Sequence, residues 1–387
     1  MKVLKLVYKN LLRHKLRSFL TILGIAVAVL AFGLLRTVVT AWSAAVEASS
    51  ANRLVTVHAV SFIFPLPLSY RERIEKIPGV TEVSYATWFQ GIYKDQSFEN
   101  FFPRLACDPE TIFDVYPEFI VPPDQLANFK KQRNACVIGK KLAEQHGFKI
   151  GDIIPVKGDI YRGNWEFVVA GIYTGKDKTA DETQMFFHWD YMNERNKIEN
   201  RWAADHVGWY IVKIGNPNDA ANVSEAIDAM FTNSDAKTKT ETEKAFQQSF
   251  VSLSGAIITS LEVISYVIIG IILLVLANTI IMSARERIRE YAVLRTLGFT
   301  SFHVVGLIAG ESLFISVLGG VVGLAGAFPV CAGFGAAFPT MFPIFNIAPM
   351  TIALAVVFSL SVGIIAAVFP AIRSVNMKIV DGLRQIG

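Results

Sequence analysis

One tract of the chain, residues 312–372, contains no Asp, Glu, Lys or Arg. So long an uncharged and mostly apolar stretch is typical of a chain that lies in a lipid bilayer. A helix needs about 20 apolar residues to cross the hydrocarbon layer, so the tract is too long for a single crossing. Pro339, Pro343 and Pro349 interrupt it. The sequence therefore predicts two spans, residues 304–334 and 350–372, joined by a short loop.

Two further segments are long and apolar enough to span a bilayer, residues 19–35 and 263–282. The overall composition agrees, since 52% of the residues are hydrophobic and the mean hydropathy is +0.40. The chain is thus predicted to be a polytopic membrane protein with four spans. A cleaved signal peptide at the N-terminus is the alternative for the first span, but its apolar run is longer than the roughly 7–15 residues of such a signal.

The distribution of Lys and Arg predicts the orientation of the spans. Basic residues cluster before the first span, between the second and third spans, and after the fourth, all on one side of a four-span arrangement. Because cationic loops are retained in the cytoplasm, we expect both termini to be cytoplasmic. Residues 43–254 contain 23 Lys and Arg against 28 Asp and Glu, so this mildly acidic segment is expected outside the cytoplasm.

The segment between the first two spans has the patterns of an ordinary globular domain. Polar and apolar residues alternate in 53–60 and 165–173, as in strands, whereas 140–146 and 220–231 have helical periodicity. The predicted fold class is a membrane protein with four transmembrane α-helices and a large α+β extracytoplasmic domain inserted between helices 1 and 2. A helical stalk is expected to continue the first span as far as residue 52. The apolar segment 61–68 suits either a partner-binding or lipid-facing loop or an ordinary packed loop.

No motif for catalysis by the chain itself is present. The sequence contains neither a G-x-x-x-x-G-K-[ST] phosphate loop nor a G-x-S-x-G elbow, and its six His residues are too scattered to indicate a metal site. We therefore expect no enzymatic activity, no cofactor and no metal in this chain. Any energy source must come from a partner.

Several single residues carry structural predictions. Cys107 and Cys136 both lie in the inserted segment, where an oxidising compartment would permit a disulfide between them, although spacing alone does not show that they meet. Glu262 and Glu311 stand near ends of spans and are expected to face headgroups or to pair with a nearby Arg. Small residues allow another helix to approach closely. In the third span these are Gly319, Gly320 and Gly323.

Residues 278–298, NTIIMSARERIREYAVLRTLG, form the most specific segment. It leaves the second span as a charged helix in which Ile288, Tyr291, Leu294 and Leu297 recur at every third residue. Such a helix could lie on anionic lipid, and the pattern alone does not decide between this and a protein contact.

The E-R-x-R-E run followed by L-R-x-L-G resembles the cytoplasmic coupling segment of the MacB/FtsX-like ABC permeases, the type VII or mechanotransmission class. Members of that family also carry a basic amphipathic N-terminal helix, here 4–16, a Glu early in the third span, here Glu311, and a Gly-Gly-x-x-Gly pattern after it. A Pro-Ala-x-Arg motif matches residues 370–373. The tail departs from the family, since it lacks the closing proline and alanine. The inserted segment is similar to the family's periplasmic core domain.

The resemblance implies a permease subunit that couples ATP binding and hydrolysis by a separate ATPase to movement of the periplasmic domain, with ATP and Mg on that ATPase. Two ATPase copies, a second permease copy and membrane lipid are the implied partners, a periplasmic membrane fusion protein for export is expected, and no nucleic acid is implied. Lipoprotein extraction, regulation of a cell-wall hydrolase, or a membrane sensor without an ATPase remain alternatives. The implied location is the bacterial inner membrane. The residues implied to couple to the ATPase are Arg285, Glu286, Arg287, Arg289, Glu290, Leu294, Arg295 and Gly298.

The predicted boundaries follow from these assignments. They are a cytoplasmic amphipathic helix (1–17), the first span with the start of the stalk (18–42), the extracytoplasmic domain (43–254), the stalk end with the second span (255–284), the coupling helix (285–303), the third span (304–336), a short extracytoplasmic loop (337–349), the fourth span (350–372) and a cytoplasmic tail (373–387).

Overall fold

The computed structural model describes residues 15–43, 46, 49–177, 180–253, 255–338, 342 and 344–375. Contacts divide the chain into two compact units: one is helical and contains the apolar segments, and the other is formed mainly by residues 42–254. The two units are described separately. The predicted N-terminal helix, residues 1–17, and the predicted tail, residues 373–387, lie largely outside the described part of the chain.

The helical unit contains helices that are long and apolar enough to cross a membrane. Four qualify among the described residues: α1 (Lys15–Trp42), α9 (Gly255–Glu286), α11 (Ser301–Ala337) and the part Pro349–Ile372 of α12 (Pro349–Val375). At about 1.5 Å per residue, even the shortest exceeds the roughly 30 Å of hydrocarbon. The four-span prediction is confirmed.

The predicted helical stalk is wrong at residues 49–52. Helix α1 ends at Trp42, and residues 49–52 are not helical. Polar side chains redirect the backbone here, since Ser50 shares a hydrogen bond of 2.5 Å with Asn52 and the Ser50 amide donates to Glu243 over 2.8 Å. Ser and Asn commonly compete with helical backbone bonding in this way.

The α/β unit lies between α1 and α9 and is called here the inserted domain. Its helices are α2 (Arg71–Ile74), α3 (Ile112–Val115), α4 (Pro123–Lys131), α5 (Lys140–His146), α6 (Trp189–Glu199), α7 (Ala220–Met230) and α8 (Glu243–Leu253). Its strands are β1 (Arg53–His58), β2 (Leu66–Pro67), β3 (Val80–Trp88), β4 (Gly91–Ile92), β5 (Arg104–Cys107), β6 (Phe119–Ile120), β7 (Ala135–Gly139), β8 (Ile153–Gly158), β9 (Gly163–Gly175), β10 (Met185–His188), β11 (His206–Val207), β12 (Trp209–Ile214) and β13 (Thr238–Thr242).

Most of these strands form one mixed sheet. Its order is β13-β1-β12-β3-β5-β10-β7-β9-β8-β4, with β6 paired to β9, while β2 and β11 form a separate pair. Strands β5 and β10, and β7 and β9, run parallel, whereas their other neighbours run antiparallel. The first and last strands of the domain, β1 and β13, lie side by side, with Val55 opposite Glu241. The chain therefore enters and leaves the domain at one edge of the sheet. This confirms a large α and β domain between the first two spans.

The sheet has a buried core on each face, and this arrangement excludes the disulfide. Cys107 belongs to one core cluster and Cys136 to the other. They also lie on β5 and β7, with β10 between them. Two strand spacings amount to about 9–10 Å, beyond the Cα separation that a disulfide permits. Both cysteines are buried free thiols, so the predicted bridge is not formed.

Candidate functional site

The segment that joins α9 to α11 folds as a separate short helix, α10 (Ile288–Thr296). Arg287 leaves helical geometry with φ −105° and ψ 9°, which ends α9 and starts the new helix. At the other end Gly298 has φ +93°, a left-handed conformation that favours glycine. The predicted coupling helix of residues 285–303 is therefore shorter in the structure. Glu286 and Arg289 lie on different helices.

Arg287 is the centre of an ion-pair cluster at the break. Its Nη1 donates to Glu311 on α11 and its Nε to Glu290 on α10, each over 3.0 Å. Ser283 on α9 donates to the other oxygen of Glu311 over 3.3 Å. The side chains of Arg287 and Glu311 are each 12% exposed. Bonds to such half-buried charges are stronger than those of exposed surface pairs. The cluster joins three helices.

A second ion pair connects α1 to the same region. Arg17 Nη2 donates to both carboxylate oxygens of Glu286 over 2.8 Å. A polar cavity of about 370 Å³ lies between the two pairs and is lined by Arg17, Ser283, Glu290 and Glu311, among others. Helices α9 and α11 are thus joined to α10 through Arg287, and α1 is joined to α9 through Arg17 and Glu286.

One side of α10 packs against the helical unit. Tyr291 and Ala292 are buried, and Leu294 packs against the same core cluster. Burial raises the pKa of Tyr291 to about 12, so its phenol is neutral at ordinary pH. The helix is therefore held on its inner side by apolar contacts as well as by the ion pairs.

Large apolar residues in and after α10 are exposed on the surface of the helical unit. Leu297 is 71% exposed and Phe302 is 87% exposed, and Val293 and Phe299 are also exposed. Val293 lies on α10, Leu297 and Phe299 follow it, and Phe302 lies in the first turn of α11. We call these four residues together the α10 apolar face. The three-residue spacing suggested that Leu297 shares a face with Tyr291 and Leu294, but the helix ends at Thr296 and Leu297 points away. In the sequence, the large apolar residues Leu297, Phe299 and Phe302 close to the helix-ending Gly298 could have indicated this exposed surface.

The remaining residues predicted to couple to the ATPase are distributed around the helix. Arg285 is exposed on the last turn of α9, and Arg295 is half-buried. The side chain of Arg289 lies outside the described part of the structure. The predicted set therefore divides into residues that hold α10 in place and residues on its outer surface.

The glycines of α11 contact helices of the same chain. A Cβ at Gly319 would lie 2.7 Å from Cβ of Ile25 on α1, and one at Gly320 would lie 2.8 Å from Cβ of Ser359 on α12. A Cβ at Gly323 would lie 2.8 Å from Cβ of Val29 on α1. These distances are shorter than carbon contacts allow, so glycine permits α11 to pack closely on two neighbours.

The second acidic residue near a span end also has its expected partner. Arg36 Nη1 on α1 donates to Glu262 on α9 over 2.6 Å. Together with the Arg287–Glu311 bond, this confirms that both carboxylates pair with a nearby Arg. Helices α1 and α9 are therefore linked by ion pairs near both of their ends.

The inserted domain has an ion-pair cluster where the chain enters and leaves it. Arg53, the first residue of β1, bonds to Glu243, the first residue of α8, over 2.9 Å and to Glu118 over 2.6 Å. Burial alone lowers the pKa of Arg53, but its bonds to Glu118 and Glu243 outweigh this and hold the pKa above its ordinary value. The sequence pattern did not identify this cluster, because its members are far apart in the chain.

No group of three or more His, Cys, Asp or Glu side chains in the described residues is placed to hold a metal ion. The described geometry is therefore one of helix junctions and surfaces.

Comparison with known protein families identifies the family to which the chain belongs. A family model described as the MacB-like periplasmic core domain matches residues 18–230, more than half of the chain. A second, described as the FtsX-like permease C-terminal, matches residues 262–379. The chain belongs to the MacB/FtsX family of ABC transporter permeases.

Two relatives match this permease along almost their whole length. An uncharacterised ABC transporter permease of Methanocaldococcus jannaschii is 22% identical over 400 residues, which cover 99% of this chain and 97% of the relative. The uncharacterised ABC transporter permease YvrN of Bacillus subtilis is 22% identical over 422 residues, with 98% of each chain covered.

Two solved structures are similar to part of the permease. The periplasmic region of MacB from Actinobacillus actinomycetemcomitans has a TM-score of 0.38 and 14% identity, covering 53% of this chain and 95% of that one. The extracellular domain of the ABC-type transporter YknZ from Gram-positive bacteria has a TM-score of 0.35 and 12% identity, covering 49% of this chain and 100% of that one.

Proposed function

We propose that this permease couples ATP binding and hydrolysis by a separate ATPase subunit to movement of the inserted domain on the other side of the membrane. The observation that carries the proposal is the α10 apolar face. Leu297 directly follows α10 and Phe302 lies in the first turn of α11, and the Arg287 cluster joins these two helices to α9. Exposed apolar residues bordered by charged ones are typical of protein interaction sites. The absence of a phosphate-binding loop from the sequence agrees with a partner that binds the nucleotide.

The ion pairs provide a route for movement from this face. A displacement of α10 would act on α11 through Glu311 and on α9 through Arg287 and Ser283. Helices α1 and α9 are the two that border the inserted domain in the chain. A movement of either one therefore acts on an end of that domain. Packed helices shift as units, so movement of the helices alone carries the displacement to the inserted domain. Passage of a substrate through the spans is not required.

The proposal includes an orientation. Basic residues flank the spans on the α10 side, so we place α10 and both termini in the cytoplasm and the inserted domain outside it. We place two permease copies beside two ATPase copies in the cytoplasmic membrane. Among the family's activities we favour export with a membrane fusion protein, because the inserted domain is large enough to offer such a partner a surface.

Docking and transmission are separable by experiment. Leu297→Asp and Phe302→Asp are expected to lose the ATPase during purification from native membranes, because a charge on the apolar face is unfavourable in a dry interface. The matched control is Ile198→Asp on the inserted domain, which changes a residue that is 83% exposed and should retain the ATPase. Retention of a full complement of ATPase by both variants of the apolar face would refute this docking site.

Glu311→Gln tests transmission. The variant removes a charge that Arg287 contacts but leaves the apolar face intact. We expect the ATPase to co-purify normally and its stimulation by the permease to fall by about 5-fold or more, the range of an ordinary coupling free energy. Glu262→Gln, which alters the pair with Arg36, distinguishes this effect from a general loss of ion pairing. Unchanged stimulation in Glu311→Gln would show that the Arg287 cluster does not transmit movement.

A further inference from the structure

The loop after β1 exposes an unusual concentration of large apolar side chains. Val60 is 77% exposed and Ile63 is 76% exposed, and Phe62 and Phe64 between and beside them are also exposed. Leu66, in the same apolar segment, is completely buried. The segment 61–68 thus has a packed half and an exposed half. We call Val60, Phe62, Ile63 and Phe64 the apolar loop.

The exposed side chains are held in place. The amides of Ile63 and Phe64 donate to the side chain and the carbonyl of Ser61, over 3.4 and 3.1 Å. The ring of Phe62 contacts the edge of Phe250 on α8, with 5.1 Å between ring centroids. Phe250 in turn contacts Phe246 at 5.0 Å, one helical turn earlier. The loop and α8 therefore form one apolar surface.

The two segments that form this surface contain no charged residue of their own, and Lys237, whose carbonyl accepts from the amide of Ala59 over 2.7 Å, lies at the border of the loop. Residues 59–70 include no Asp, Glu, Lys or Arg, and neither do residues 245–261. Protein interfaces have an apolar centre and a polar rim, whereas a segment that enters lipid must be free of unpaired charge. Because the two segments contain no cation, their own contact with lipid would depend on the apolar side chains.

The chain connects this surface directly to a membrane-spanning helix. Phe250 lies five residues before Gly255, where α9 begins, and five residues extend at most about 19 Å. The uncharged stretch that contains Phe250 continues without interruption into α9 as far as Glu262. By contrast, Arg53 at the other end of β1 follows Trp42 by eleven residues. In the sequence, few residues therefore separate the surface formed by the apolar loop and α8 from a membrane-spanning helix.

We propose that the apolar loop inserts into the outer surface of the lipid bilayer. The occupant of the exposed surface is then the lipid at the boundary between headgroups and acyl chains. This inference does not depend on the presence of an ATPase.

Fluorescence quenching in nanodiscs tests the proposal with the full chain. Ile63→Cys carries an environment-sensitive NBD dye, and the three native cysteines are buried, so unsubstituted protein serves as the labelling blank. The matched control is Ile198→Cys, at an exposed apolar residue of α6. The nanodiscs contain phosphatidylcholine with or without a spin label at carbon 5 of the acyl chain.

We expect the dye at position 63 to show blue-shifted emission and roughly twofold or greater quenching by the spin-labelled lipid, and the dye at position 198 to show neither. Emission typical of water and no quenching at position 63 would overturn the proposal. Blue-shifted emission without lipid quenching would overturn it as well, because the loop would then be covered by protein. A Phe64→Cys label provides a second position at which the same quenching is expected.

Discussion

The glycines of α11 make a quantitative prediction about how closely two spans pack. In Gly323→Ala the new methyl group would lie 2.8 Å from Cβ of Val29 and against the carbonyl oxygen of Ala26, both on α1. Ordinary carbon contacts are about 3.5–4.0 Å, so α1 and α11 must separate by about 1 Å. Overpacking of this kind costs about 1–3 kcal/mol.

The matched control is Gly306→Ala on the same helix. Apart from its chain neighbours and the nearby backbone of its own helix, no heavy atom of the described residues lies within 4 Å of a Cβ built at Gly306. Both substitutions gain the same helix propensity, about 1 kcal/mol, so this contribution cancels in the comparison. The difference of about 1–3 kcal/mol between the two variants corresponds to a change of about 5- to 150-fold in the equilibrium for separating α1 from α11.

Cys331 measures this separation. It lies on α11, is buried, and has its sulfur 4.0 Å from the hydroxyl of Thr37 on α1. We expect maleimide to label Cys331 faster in Gly323→Ala than in Gly306→Ala by a factor in that range, with the labelled peptide identified by mass spectrometry. Cys107 and Cys136, buried in the inserted domain, should react at the same rate in both variants. Equal labelling of Cys331 in the two variants would refute the close approach at Gly323.

Three further predictions concern the inserted domain. Burial lowers the pKa of His188 below its ordinary value of 6.5. The unfolded chain therefore binds a proton that the folded chain does not, and the free energy of unfolding falls as the pH drops below about 6.5. His188→Gln should flatten this decline in urea titrations between about pH 7 and 5, and an unchanged slope would contradict the prediction. Arg53→Met leaves Glu243 buried without its cation and should lower the free energy of unfolding by about 3–5 kcal/mol. The double variant Arg53→Met/Glu243→Leu should recover this stability. Wild-type stability of the single variant would show that the pair is unimportant. Cys107 and Cys136 should both titrate as free thiols in denaturant without reductant, and a change in gel mobility on reduction would reveal a bridge that the sheet geometry forbids.

The spans and the main elements of the domain could be predicted because their signals are local. A charge-free run long enough to cross a bilayer defines a span wherever it occurs. Helix α5 has the predicted bounds, 140–146, because the run is helical and Gly147 ends it in a left-handed conformation. The helical stalk predicted to reach residue 52 is wrong at residues 49–52, since side chains of Ser50, Asn52 and Glu243 redirect the backbone there and Glu243 is distant in the chain.

The sequence by itself determined a four-span membrane protein with one large inserted domain, because hydrophobic length and charge are properties of contiguous residues. Only the tertiary structure decided which residues meet. Sheet order places Cys107 and Cys136 on opposite faces, and the break at Arg287 directs this residue to Glu311 instead of into solvent. The tertiary structure also leaves Leu297 and Phe302 exposed. Such pairings depend on strand register and helix contact between distant segments, and no local pattern specifies them.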